Sequence, residues 1–197
     1  MRLIEMEIAR QPWKGMLCGC GNPAEHLAQD LLRLAGRGPE RVPSYVSLEE
    51  HVWSPAVLWE PSPAVTSVAL AALADELAPA ARGWFLDLLQ CLVAGEGTDF
   101  ASAGRGLDLP EICRERAVQG LWLLYDEVMS NRSTSAAGTA FEILTVVEPD
   151  RARLQRVREI AAEWLPVCCR TGLCDDDFVR SDLSPTTPRA LRQACDC

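Results

Sequence analysis

The stretch that decides the fold is residues 62–93, which read SPAVTSVALAALADELAPAARGWFLDLLQCLV. Apolar side chains recur there every three to four positions, for example at Val65, Val68 and Ala72, a spacing typical of helices that bury one face. Pro79 interrupts the pattern, because proline inside a helix removes a backbone hydrogen bond and clashes with the preceding turn. The stretch therefore predicts two helices joined by a short break and packed as an antiparallel pair.

A second unit, residues 110–147, repeats the order helix, break, helix in PEICRERAVQGLWLLYDEVMSNRSTSAAGTAFEILTVV. Its first helix is expected to run to about residue 130. The units start at Pro63 and Pro110, 47 residues apart, a spacing at the long end of the HEAT and armadillo period. Because one helix pair cannot bury its apolar face alone, neighbouring pairs are expected to stack into a continuous core.

The flanking segments are predicted from weaker signals. Residues 23–36 and 150–165 show helical spacing, and a short strand or helix is expected near residues 3–8. Ser47 and Glu50 form a capping-box pattern, which predicts a short helix that carries His51, Val52 and Trp53. No stretch alternates with a two-residue period, so little or no sheet is expected. The predicted fold is all-α: a short α-solenoid of antiparallel helix pairs with irregular N- and C-terminal segments.

The two Ala- and Leu-rich units resemble HEAT-like repeat proteins, especially the small actinobacterial ones, over residues 62–165. The resemblance implies a scaffold or partner-binding role and carries over no catalytic residues. We expect one helical-repeat domain over residues 1–166. A loosely ordered tail bearing Cys and Asp is expected over residues 167–197.

Charge and composition exclude several classes of function. The net charge is −9, and an acidic chain repels phosphate backbones, so no nucleic-acid partner is expected. Hydrophobic residues make up 48% of the chain, enough for a packed core. No apolar run is long enough to span a membrane, and the start has no signal-peptide core. A cytoplasmic protein is therefore predicted.

Nine cysteines are the chemically most informative residues. Because their number is odd, they cannot all pair within one chain, and without an export signal reduced thiols are expected. No cofactor is assigned, and zinc, which prefers four thiolate or imidazole ligands, is the one candidate. The chain lacks CxxC pairs, so two alternatives stay open: reduced, partly exposed thiols on flexible termini, or a reversible disulfide within CGC or between the tail cysteines. The candidate metal ligands are Cys18, Cys20, His26, Cys168, Cys169 and Cys174.

Two histidines, His26 and His51, are the only imidazoles in the chain. A serine or cysteine triad must use one of them as its base, and either could pair with a cysteine. The chain has no GxSxG, HExxH or P-loop motif. An enzyme acting on a small molecule or on DNA is therefore the weakest hypothesis, and no catalytic residue is assigned.

Trp53 and Trp59 lie in HVWSPAVLWEP, a proline-rich stretch. They are expected either to cover the open end of the helix stack or to anchor a partner, since tryptophan is enriched in interface hot spots. The first functional hypothesis is a non-enzymatic module that binds another protein or peptide on its helical-repeat surface. The alternative is a cysteine-dependent protein, either zinc-binding or redox-responsive.

Overall fold

The computed structural model describes residues 2–37, 48–55, 57–94 and 101–173. This part of the chain is mostly helical, as predicted, with a small three-stranded sheet. The α-helices are α1 (Leu3–Arg10), α2 (Glu25–Leu32), α3 (Ser62–Ala74), α4 (Pro79–Val93), α5 (Leu109–Val118), α6 (Leu121–Met129), α7 (Thr134–Val147), α8 (Arg151–Ile160) and α9 (Val167–Thr171). The strands are β1 (Trp53–Ser54), β2 (Val57–Trp59) and β3 (Ala101–Ala103).

Helix α3 lies at the centre of the core. It is apolar on nearly every side, and helices of that kind are buried on every side. Accordingly, α3 packs against α1, α4 and α5, while α4 also packs against α7, and α7 against α6. The sequence prediction of helices on both sides of Pro79 is confirmed, since proline is tolerated in the first turn of α4.

The helix predicted over residues 110–130 is interrupted. The chain ends α5 at Val118 and begins α6 at Leu121. At the break, a Cβ on Gly120 would overlap the Leu70 side chain of α3. The chain can therefore approach α3 this closely only where residue 120 has no side chain.

The helix predicted from Ser47 through Trp53 is wrong over the described residues, because residues 48–52 form turns and Trp53 begins β1. Ser47 itself lies outside the described residues. The backbone of Glu50 is left-handed, with φ 65°, a conformation that cannot continue a right-handed helix. β1 pairs antiparallel with β2, and β2 pairs parallel with β3.

The N-terminal segment is tied to the core by Asp75, the residue that follows α3. Its carboxylate oxygens accept hydrogen bonds from the backbone N–H groups of Leu3 and Ile4, at 3.1 and 3.0 Å. A carboxylate at a helix N-terminus is favourable, because it satisfies unpaired N–H groups and complements the helix dipole. The segment near residues 3–8 is therefore helical.

Helix α9 lies in the region where the sequence suggests a loosely ordered tail. It packs against α7 and α8, so the structure differs from that expectation over residues 167–173. The remaining cysteines, Cys174, Cys195 and Cys197, lie outside the described residues. Among the helices that the structure describes, none has both the length and the apolar character to cross a membrane.

Candidate metal centre

A tight turn presents the CGC motif. The Cys18 N–H donates to the Asn22 carbonyl oxygen at 2.9 Å, and the Gly21 N–H donates to the Cys18 carbonyl oxygen at 2.9 Å. Gly21 has φ 79°, a value that glycine adopts at little cost. We call this turn, residues 17–23, the CGC turn.

The two histidines reach the CGC turn from different elements. His26 is the second residue of α2. His51 lies in the turn before β1, 33 positions beyond Cys18. The Gly19 N–H donates to the His51 carbonyl oxygen at 3.0 Å, and the Leu17 N–H donates to the Glu60 carboxylate at 2.7 Å. The β1–β2 hairpin is thus bonded to the CGC turn at two points.

Four side chains converge: Cys18, Cys20, His26 and His51 offer one ligand atom each, and all four atoms lie within 4.8 Å of one another. Sγ of Cys18 is 3.2 Å from Nδ1 of His51 and 3.6 Å from Nε2 of His26. The two imidazole nitrogens are 3.0 Å apart, and the rings meet edge to face at 67°.

These three distances lie within about 0.3 Å of the edges of a zinc tetrahedron. Zn–S bonds of about 2.3 Å and Zn–N bonds of about 2.0 Å place neighbouring ligand atoms roughly 3.3–3.8 Å apart. Two thiols and two imidazoles are a ligand set typical of structural zinc sites. The residues present therefore fit a zinc ion.

The two thiols differ in environment. Cys18 is buried, and burial raises the pKa of its thiol to about 11. Cys20 is exposed, and a hydrogen bond from the Asn22 backbone N–H lowers the pKa of its thiol. A buried thiolate is costly unless a cation compensates its charge. The buried Cys18 thiolate thus becomes favourable chiefly with a bound cation.

Gly19 lets the hairpin approach the CGC turn. A Cβ at this position would overlap the Glu50 carbonyl oxygen and lie 2.6 Å from Nε1 of Trp59. The middle residue of CGC must therefore be glycine. The left-handed Glu50 directs its carbonyl at Gly19, and such strain persists only where surrounding contacts hold it.

The structure separates the sequence-predicted ligands into two groups. Cys18, Cys20 and His26 lie together and are joined by His51, which the sequence prediction did not include among the ligands. Cys168 and Cys169 lie on α9 and group with Glu142 of α7 instead. Cys174 lies outside the described residues.

His51 was not predicted as a ligand because no motif in the neighbouring sequence indicates that role. It lies far from Cys18 in sequence, in a stretch that the capping pattern assigned to a helix. The one available signal was the small number of histidines, since a Cys₂His₂ site in this chain must use both of them.

Cys113 is buried in the core, where burial raises the pKa of its thiol to about 12.

Trp53 is buried and Trp59 is half-buried. The Trp59 indole packs beside Gly19. The partner-binding role of both residues stays a prediction, and the tryptophan most exposed in the described chain is Trp122, at 73%.

In comparisons with known proteins, no family model matches the chain, and no curated protein or solved structure matches it.

Proposed function

We propose that the protein binds one zinc ion through Cys18, Cys20, His26 and His51, as a structural centre that fastens the N-terminal segment to the β1–β2 hairpin. The observation that carries the proposal is the convergence of these four ligand atoms within 4.8 Å, from three segments of the chain. Sites with four protein ligands are closed and serve folding, whereas catalytic zinc keeps a position for water. The centre is therefore structural and leaves the protein non-enzymatic at this site.

Two hydrogen bonds to the His51 carbonyl oxygen also support the centre. Sγ of Cys18 lies 3.3 Å from the His51 carbonyl oxygen, to which the thiol donates. Zinc binding to Cys18 would release the thiol proton, since only the thiolate is a ligand. The Gly19 N–H keeps its bond to the same carbonyl and holds the hairpin in register.

The test is zinc content per chain, measured by elemental analysis after zinc loading and desalting under reducing conditions. Wild type is expected to retain zinc at this centre, and Cys20→Ser and His51→Gln are expected to lose it. Cys113→Ala removes a thiol outside the centre and is the matched control. A wild-type protein whose zinc content is unchanged by both ligand variants would refute the proposal. Under the redox-responsive alternative, the two thiols would instead form a disulfide, which thiol counting detects in protein prepared without reductant.

We also propose that the helices form a short HEAT-like α-solenoid that binds another protein or peptide. Support comes from the neighbours of each helix: α3 packs on α4, α6 packs on α7, and α4 packs on α7 between the two pairs. A crystal structure in which the α3–α4 pair and the α6–α7 pair stack side by side would support the solenoid. A structure in which the two pairs do not stack on one another would contradict it.

One specific surface favours partner binding. Trp122 is 73% exposed, and the Arg153 guanidinium carbon lies 5.6 Å from the centre of its ring. Tryptophan and arginine are the residue types most enriched in interface hot spots. The binding surface is therefore proposed to centre on Trp122.

A photo-crosslinking residue at position 118, four residues before Trp122 in the chain, tests this surface in cells. Val118 is itself 41% exposed, so the probe is accessible. One defined crosslinked partner is expected, and Trp122→Ala is expected to abolish it without changing zinc content. Leu107→Ala, at a site 58% exposed, is the control. Crosslinking that survives Trp122→Ala would contradict the proposal.

A further inference from the structure

A second group of metal-ligating side chains lies where α9 packs on α7. Glu142 of α7 and the adjacent Cys168 and Cys169 of α9 offer three ligand atoms within 4.8 Å of one another. The Cys18 centre uses none of these residues. Cys169 is buried, while Glu142 and Cys168 are half-buried, so the group lies at the edge of the core.

The distances in this group suit a metal ion bound by sulfur and oxygen. The two sulfur atoms are 3.9 Å apart, and Sγ of Cys169 is 3.9 Å from Oε1 of Glu142. Two thiolates on one zinc ion lie about 3.8 Å apart, and a thiolate and a carboxylate oxygen about 3.5 Å apart. The two distances in this group lie within a few tenths of an ångström of these values, and the Cys168 and Glu142 ligand atoms lie within 4.8 Å of one another.

The carboxylate is already oriented. Nε2 of Gln90 on α4 donates to Oε2 of Glu142, which leaves Oε1 facing Cys169. Metal-bound carboxylates are commonly held by such hydrogen bonds, which set the ligand's orientation. Gln90 therefore acts as a positioning residue for the group.

A glycine brings α9 close enough. Gly138 precedes Glu142 by four residues, so both lie on one face of α7. A Cβ on Gly138 would lie 2.7 Å from Cγ of Pro166, the residue that precedes α9. The Cys169 thiol lies along this face, 4.0 Å from the Gly138 carbonyl oxygen. Any side chain at position 138 would push α9 and its thiols away from Glu142.

We infer that Glu142, Cys168 and Cys169 bind a second divalent zinc ion, independently of the Cys18 centre. Two thiolates and one carboxylate select zinc over the hard cations, which prefer oxygen ligands alone. Three protein ligands leave one zinc coordination position for an exchangeable ligand such as water, as in open sites. This second centre differs in that respect from the closed Cys18 centre.

Zinc stoichiometry and cobalt(II) absorption on the full-length protein, loaded and desalted under reducing conditions, test the inference. Wild type is expected to retain two zinc ions per chain. Glu142→Gln and Cys168→Ser are each expected to retain one, and Glu142→Gln combined with Cys20→Ser none. In the cobalt(II)-loaded protein, Cys168→Ser is expected to lower the thiolate-to-cobalt charge-transfer absorption of the second centre and to leave that of the Cys18 centre unchanged. Cys113→Ala, the control, keeps both ions.

Two further variants address positioning. Gly138→Ala is expected to lose the second ion and keep the first, and Gln90→Leu is expected to weaken second-ion affinity by about 10- to 100-fold. Zinc stoichiometry that Glu142→Gln and Cys168→Ser leave at the wild-type value would overturn the inference, because any second ion would then lie elsewhere. A wild type with one ion, lost in Glu142→Gln but kept in Cys20→Ser, would support this centre and refute the Cys18 centre.

Discussion

Sγ of Cys18 lies 3.2 Å from Nδ1 of His51 and 3.3 Å from the carbonyl oxygen of the same residue. One side chain thus contacts both the ring and the backbone of a residue 33 positions away. This double contact joins the CGC turn to the β1–β2 hairpin. Because both contacts fall on one sulfur atom, a metal bound there would couple two segments that are distant in sequence.

Removing zinc is expected to lower stability without abolishing the helical core. A ligand present at about 1,000 times its Kd stabilises the folded state by about 4 kcal/mol, which corresponds to roughly 8–16 °C for a chain of this size. Thermal unfolding with and without a chelator measures the change. Since none of the four ligands lies on α3, α4 or α5, circular dichroism of the chelated protein should stay mostly helical. Complete unfolding on chelation would show that the core depends on the metal.

Gly19→Ala is expected to disrupt the centre by overpacking. The new Cβ would overlap the Glu50 carbonyl oxygen, and such overpacking costs typically about 1–3 kcal/mol. We expect reduced zinc retention together with a lower urea midpoint. Gly15→Ala is the matched control, because a Cβ there meets nothing within 4 Å. Equal zinc retention in both variants would argue that the hairpin does not press on the CGC turn.

Gly120→Ala tests the close approach of the α5–α6 break to α3. The added methyl group would overlap the buried Leu70 side chain, so a loss of about 1–3 kcal/mol in the free energy of unfolding is expected. Gly83→Ala in α4 meets nothing within 4 Å, and alanine stabilises helix interiors by roughly 1 kcal/mol relative to glycine. The two variants should therefore shift urea midpoints in opposite directions. A neutral Gly120→Ala would show that Leu70 repacks freely.

Glu148 is expected to make stability depend on acid pH. Burial alone would raise its pKa, but hydrogen bonds from Arg153, Tyr125 and the Asp150 N–H outweigh it and lower the pKa below the ordinary 4.5. A carboxylate whose pKa is lower in the folded than in the unfolded state stabilises the fold, and the full contribution is present at pH values above its unfolded-state pKa. This contribution is lost as the pH falls through the folded-state pKa. Urea unfolding between pH 6 and pH 2 measures the loss.

Glu148→Gln provides the comparison for that pH series. The variant breaks the 2.8 Å ion pair with Arg153, and a broken charged hydrogen bond costs about 1.5–3 kcal/mol. At neutral pH it should be less stable than wild type by that amount, with a flatter acid dependence. An unchanged acid dependence would assign the effect to other carboxylates.

Periodicity predicted the helices best where apolar residues lie inward at regular spacing. α4 and α7 fall close to the predicted ranges because each carries a start signal. Pro79 lies in the first turn of α4, and the Ser133 side chain caps α7 by accepting a hydrogen bond from the Ala136 N–H. Prediction failed around residues 47–53, where a local capping pattern was overridden by bonds to the CGC turn. Long-range hydrogen bonds leave no periodic signal in the sequence.

The candidate metal centres, too, were predicted from the sequence only in part. Cysteine count and spacing identified Cys18, Cys20 and His26 as ligand candidates, because ligand chemistry is a property of the residue type. Which of them meet, and that His51 completes one group and Glu142 another, depends on how the hairpin lies on the CGC turn and how α9 packs on α7.

The amino-acid sequence by itself determined that the described part of the chain is mostly helical and where α4 and α7 begin and end, since helix formation and termination depend on residues within a few positions. Only the tertiary structure decided which thiols, imidazoles and carboxylate form sets. The ligand atoms of one metal ion must lie within about 4 Å of one another. Residues far apart in the chain reach that distance only where close packing, as at Gly19 and Gly138, brings their backbones together.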